Sequence, residues 1–312
     1  MHKFLVVFVL LITFFGYSQE EKNKTIAKDS VIKTPEKAVL DTIPDRPQAV
    51  SFSPWKKTGK FNLLANQTAF NNDWVGGGQS NLAVNSDFEY NINYKKGQWT
   101  WDNRLFLVYG ITKLKERDRV RKVSDNVEFS SVAGKRTGSG FWSYSAYFNF
   151  KTQFAKGYNF KKNGDRQLVS RGFSPAYFQL GPGLLYKKSD NFKINFAPAT
   201  TRLILVDKFF TRNKAAFGVE KGETENIEFG ASIAADHKFL LFKNVTLENI
   251  LNLYSNYLSK VTNIDINYIL NLESTINKHM SANFTFQAIY DENAVEHVQV
   301  RQLIALGLNY EL

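Results

Sequence analysis

Charged side chains recur in this chain at every second position, and that spacing limits the chemistry they can do. Asp87 and Glu89 stand two residues apart, as do Asp102 and Arg104. In extended backbone, residues two apart share one face. Carrying this parity through the chain gathers Asp87, Glu89, Asp102, Glu128, Glu228, Asp236, Glu248, Asp265, Glu273 and Glu311 on one side of a sheet. Arg104, Lys151, Lys193, Arg202 and Arg301 join them there. A continuous charged face suits a wet interior. Its excess of acids would favour cations if the interior is open, because like charges repel in a confined channel. Opposite charges meeting across it, as Glu89 and Arg104 would, could instead close it.

Catalytic chemistry has less to stand on. Of the four His, His2 lies in the apolar leader, and His237 and His279 fall near expected tight turns. His297 has Asp291, Glu292 and Glu296 near it in the chain, the nearest approach to an acid–base set of the kind a membrane hydrolase needs. There is no G-x-S-x-G and no His spacing suited to zinc, and Gly76-Gly77-Gly78 is not followed by the Lys-Ser/Thr of a phosphate loop. Zero Cys excludes disulfides, thiolate metal sites and a cysteine nucleophile. The expectation is no enzyme, no cofactor and no metal.

The other faces of the same segments are apolar. The last nine residues place Ile304, Leu306, Leu308, Tyr310 and Leu312 on one side, and Ala305, Gly307, Asn309 and Glu311 on the other. Asn85, Asp87, Glu89, Asn91 and Asn93 likewise oppose Leu82, Val84, Phe88, Tyr90, Ile92 and Tyr94. Aromatics make up 15% of the chain, with 27 Phe and 14 Tyr, whereas mean hydropathy is only −0.32. No segment after the leader approaches the roughly 18 apolar residues of a membrane helix. The composition therefore suits strands that show lipid only every second residue.

Twelve such strands are expected, near 60–70, 80–95, 98–113, 125–135, 141–154, 176–188, 192–205, 224–237, 245–258, 262–277, 280–291 and 299–312. Short turns alternate with longer loops, the longest at 155–175 and 206–223. The fold class is thus all-β, an antiparallel up-and-down transmembrane barrel over residues 56–312 with both ends on the periplasmic side. If Lys96-Gly97 is the turn of the second hairpin, Tyr94 meets Trp99, Ile92 meets Trp101 and Glu89 meets Arg104. Trp99, Trp101, Tyr94, Trp142 and Tyr144 would form an aromatic girdle. Pro182 and Pro198 cannot donate to a ladder. The apolar parity also changes after Pro198, so a bulge is expected there, confined to the two strands that carry these prolines.

Upstream, Met1-His2-Lys3, the apolar run Phe4–Phe15 and Gly16-Tyr17-Ser18 have the layout of a signal peptide ending at residue 18. Residues 19–55 are rich in Lys, Glu, Asp, Thr and Pro and read as a disordered periplasmic tether, through which an envelope protein partner could be engaged. Net charge is +11. For an exported chain, anionic lipid and lipopolysaccharide are the partners this charge suggests, not nucleic acid. The basic candidates are Lys113, Lys115, Arg117, Arg119, Arg121 and Lys122, which with Glu116 and Asp118 leave an outer loop strongly positive.

The run Asn66-Gln67-Thr68-Ala69-Phe70-Asn71-Asn72-Asp73-Trp74-Val75-Gly76-Gly77-Gly78, with Asn149–Tyr158 and Phe242–Val245, resembles a family of Bacteroidota proteins known only as a domain of unknown function. The resemblance, from about Trp55 to the C-terminus, implies an outer-membrane barrel and no defined activity or functional residue. Leu312 departs from the Phe or Trp that usually ends such barrels. A narrow passive channel for small polar or ionic solutes, a non-conducting subunit of an envelope complex and, more remotely, an outer-membrane hydrolase all fit these residues.

Overall fold

The computed structural model describes residues 53–69, 80–114, 120–160, 165–259, 261–291 and 295–312. The expected leader, nearly all of the expected tether, and Glu292 lie outside them. The strands are β1 (Trp55–Thr68), β2 (Asn81–Lys96), β3 (Trp99–Leu114), β4 (Val120–Arg136), β5 (Trp142–Thr152), β6 (Gly157–Phe160), β7 (Arg166–Ser170), β8 (Ala176–Ser189), β9 (Phe192–Leu205), β10 (Glu225–Phe242), β11 (Val245–Asn256), β12 (Ile264–Asn277), β13 (Met280–Asp291) and β14 (Val295–Glu311). One short helix, α1 (Lys208–Thr211), lies between β9 and β10. Twelve strands close into an antiparallel barrel in the order β1-β14-β13-β12-β11-β10-β9-β8-β5-β4-β3-β2. β6 and β7 pair separately, in what reads from sequence as featureless loop.

Closure is made by β1 against β14, from Lys60↔Glu311 to Ala65↔Leu306. It follows from the solvent the outer face must meet. An unpaired backbone N–H or C=O in hydrocarbon costs several kcal/mol, about the energy of a lost hydrogen bond in an apolar medium, so a sheet crossing a bilayer cannot keep open edges. The strands of the barrel, 11 to 18 residues long, meet or exceed the 9–11 a tilted crossing needs.

The outer face is written by the expected parity. Ile304, Leu306, Leu308 and Tyr310 all point outward and are more than half exposed, whereas Ala305 between them is buried. At the end with short turns, Trp55 packs against Tyr94 and Trp101 at 4.9 and 5.9 Å, and Trp142 against Tyr186 at 5.1 Å. At the end with long loops, Tyr109 meets Phe154 at 5.2 Å and Phe150 meets Phe178 at 4.7 Å. Two aromatic belts bounding an apolar band are the surface of a transmembrane β-barrel.

Two details of register differ from expectation. The β2–β3 turn is Gly97-Gln98, not Lys96-Gly97, so Tyr94 faces Trp101 and Glu89 faces Phe106. Gly97 takes φ +57 at the first turn position, where a two-residue turn of this sense calls for glycine. The slip is two residues in the pairing, so every side chain keeps its face. The irregularity near the prolines is present: the β8–β9 ladder breaks between Leu180 and Leu184. It is not confined to those strands, because the β9–β10 ladder also shifts between Gly230 and Ser232. Thr200 bridges the break, donating to the Ala197 carbonyl at 3.0 Å and pairing with Ser232 at 2.9 Å.

On its other side, β10 approaches β11 closely at a glycine. A Cβ on Gly230 would lie 1.9 Å from the Ser255 carbonyl oxygen of β11, whereas one on Gly138 would meet open space. Gly230→Ala should therefore lower the unfolding free energy in detergent by about 1–3 kcal/mol, the usual range for overpacking. Gly138→Ala should leave the urea midpoint unchanged; equal midpoints for the two variants would refute this account of the β10–β11 approach.

Candidate functional site: the lumen

Inside the barrel, Arg104 of β3 is the organising residue. Its guanidinium donates to Glu89 of β2 at 2.9 Å and reaches Asp236 of β10 at 3.9 Å and Glu248 of β11 at 3.8 Å. In the strand order, β3 and β11 lie half the circumference apart. The Arg104 side chain is thus a bar across the lumen, tying opposite walls. Counted along their strands, Arg104, Asp236 and Glu248 lie toward the short-turn end and Glu89 at the middle of β2. Lys193 also approaches Asp236, at 3.9 Å.

Shorter ties surround the bar. Lys60 of β1 holds Glu273 of β12 at 2.5 and 2.6 Å, and Lys187 of β8 holds Asp102 of β3 at 2.7 Å. Nearer the long loops, Arg202 of β9 donates to Asp265 at 2.6 Å and to Glu228 at 3.4 Å, and lies 3.5 Å over the Tyr254 ring. Charge pairs in a confined interior gain strength from the low local dielectric, and each is also a costly vacancy if one partner is removed.

These ties leave a cavity of 430 Å³. Twelve Asn and Gln side chains help to line it, with eight acids and six bases. Amides both donate and accept, so the wall can solvate neutral and charged solutes alike. Several already pair with each other, as Gln287 does with Asn267 at 3.0 Å.

Of the side chains expected on this face, Asp87, Glu89, Asp102, Arg104, Glu128, Lys151, Lys193, Asp236, Glu248, Glu273 and Arg301 line the cavity. Glu228 and Asp265 are drawn instead into the Arg202 cluster, and Glu228 is almost fully buried. Lys60, Lys238 and Asp125 also line the cavity, and Lys187 reaches Asp102; none of these was anticipated. The parity of β1 held the signal for Lys60, which alternates with outward Phe61 and Leu63. The interior is consequently far closer to neutral than the expected two-to-one excess of acids.

The basic loop also divides. Lys115, Arg117 and Arg119 lie outside the described residues, and Lys113 is exposed at the end of β3. Lys122 is not a loop cation: it donates to Asp125 at 2.7 Å, to Gln153 at 2.9 Å and to the Ala155 carbonyl at 2.8 Å. That clasp fixes the segment leading to β6. Arg121 instead lies over the Phe160 ring, 4.5 Å from its centroid. His297 is exposed on β14.

Beyond β9 the chain folds into a small cap. Ile204, Val206 and Val219 are buried against Tyr177, Phe210 and Phe217. Asp207 caps α1, accepting from the Phe209 N–H at 2.8 Å, and pairs with Arg171. The Phe209 N–H first, and Arg171 after it, hold the Asp207 carboxyl below its ordinary range. A depressed folded value means that this stabilisation is present above the unfolded carboxylate pKa and is lost as pH falls through the folded one. Cleavage of the 206–224 loop by an acid-active protease should rise as pH is lowered through that window. With Asp207→Asn the acid-dependent rise should be largely absent; an unaltered profile would contradict the assignment.

The bar makes a second prediction. Arg104→Met leaves Glu89, Asp236 and Glu248 without their common partner, and should cost about 3–5 kcal/mol in unfolding free energy. Adding Asp236→Asn and Glu248→Gln should restore most of the loss. Full stability of the single variant would show that the bar carries no charge burden.

Among solved structures, the chain is similar to an outer-membrane channel of Pseudomonas putida, with 11% identity, 86% of this chain and 98% of the other covered, and a TM-score of 0.39. The translocator domain of the autotransporter NalP of Neisseria meningitidis gives 11% identity, 84% and 90% coverage, and a TM-score of 0.35. The β-domain of the Bordetella autotransporter BrkA gives 9%, 83% and 99%, and 0.33. No curated protein matches the chain. Of the three sequence blocks singled out above, Phe242–Val245 lies outside any family match, whereas the other two fall at the edges of one. Residues 65–158, from β1 to the start of β6, match the family described as "Protein of unknown function (DUF3078)".

Proposed function

We propose that this barrel resides in the outer membrane as a narrow passive channel for small polar or ionic solutes, with the Arg104 bar as its constriction. The observation that carries the reading is a closed wall, apolar outside, around a 430 Å³ cavity lined by amides and charges. An interior filled by its own side chains would leave no such space; this one retains polar volume. Twelve strands lie between barrels plugged by their own side chains and the wide 16–18-stranded porins, so conductance should be small. With eight acids against six bases on the cavity wall, cation preference should be weak. No catalytic step enters this reading.

The bar itself favours a second reading, a non-conducting subunit held shut by its ion pairs. Planar-bilayer recording of purified full-length protein separates the two. The channel reading expects small, discrete currents from the native protein. Arg104→Ala combined with Asp236→Asn and Glu248→Gln should conduct at least twofold more. Absence of current from both proteins, across voltage and salt, would reject the channel and leave the subunit.

A further inference from the structure

The β6–β7 hairpin presents a face built from two aromatic rings and two guanidinium groups. Tyr158 and Phe160 stand two apart on β6 and so share one side of it. Arg166 of β7 lies over Tyr158 at 4.8 Å, and Arg121 of β4 lies over Phe160 at 4.5 Å. Both guanidiniums lie over ring faces, within cation–π range, before any ligand arrives. A guanidinium held over a ring can still use its edge N–H donors to grip a phosphate or carboxylate in bidentate fashion. Asp165 is the lone acid on the described part of this hairpin, against these two cations.

The second observation is what lies beneath. Phe154 and Phe173, at the two bases of the hairpin, are 50% and 63% exposed and join the outward rings Tyr109 and Phe150. Phe173 does so with φ +59, a conformation a bulky side chain rarely adopts. Its backbone N–H donates to the Gln153 carbonyl at 3.0 Å, which helps to hold the strained turn. An apolar ring is thus held among the outward rings, while Arg121 and Arg166 stand with the β6–β7 pair on the loop side. The Lys122 clasp to Gln153 and Ala155 fixes this arrangement to the wall.

We infer that this rim binds a phosphorylated membrane lipid, its chains against Phe154 and Phe173 and its phosphate between Arg121 and Arg166. The charges are complementary, and rings below cations match the order of acyl chain and headgroup in a leaflet. The inference rests on the barrel being membrane-embedded but not on whether its lumen conducts. It is tested by native mass spectrometry of the full-length protein in uncharged detergent with diphosphorylated lipid A. Retention should fall at least tenfold in Arg121→Gln/Arg166→Gln, and the dephosphorylated lipid should bind as weakly as the variant does. Arg166 is exposed and Arg121 half-buried, and neither lines the lumen, so the heat-shift of the folded band on gels should be unchanged. Equal retention by the variant would overturn the proposal. Complete displacement by inorganic phosphate alone would do the same, since it would reveal a site for free phosphate. Bilayer recordings of the same variant should match the native protein, so a failed channel reading and a failed lipid site give different results.

Discussion

Backbone hydrogen bonding in a solvent that offers none is the constraint from which this architecture follows. A sheet facing hydrocarbon must pair every edge, and β1 meeting β14 over Lys60–Ala65 removes the last one. Closure then sorts the side chains without further instruction. With a side-chain period of two, a wall that is apolar outside has its remaining residues inside, and here these are acids, bases and amides. The charged interior is therefore a consequence of the wall as much as a feature added to it.

Once enclosed, those charges cannot remain unpaired at little cost, and their pairing decides how much room is left. Arg104 spans to Asp236 and Glu248, Lys60 to Glu273, and Lys187 to Asp102. Each tie joins strands that are not neighbours in the sheet. The lumen is braced from within, and the space that remains is polar and modest. Loop-end elements repeat the logic on a smaller scale: the Lys122 clasp and the Asp207 cap satisfy backbone groups that have no strand partner.

The wall was legible in the chain because alternation is local. Ile304 to Tyr310, or Asp87 to Asn93, state their faces within a few residues, and all twelve barrel strands follow from such runs. The change of parity after Pro198 likewise announced the bulge, although the matching shift against β10 lies in a neighbouring strand and is not written in that local run. What the chain did not display is contact at a distance. Glu89 and Arg104 do pair, but diagonally, because the Gly97 turn sits one residue further on than expected. Lys187 finding Asp102, and Arg202 reaching Asp265, depend on which walls face each other, whereas Glu228 meets Arg202 directly across the β9–β10 ladder. The β6–β7 hairpin is four and five residues long, too short for a periodic signal.

Alternating solvent exposure along one strand tests the central claim most directly. Spin labels placed singly at positions 300 to 310 of β14, in protein folded into lipid vesicles, report access to oxygen dissolved in the bilayer and to a water-soluble nickel chelate. The account predicts strict alternation, with oxygen reaching the even positions and the chelate favouring the odd ones. Equal access of the chelate to both sets, or a period near 3.6, would contradict a closed cylinder with lipid outside and water within.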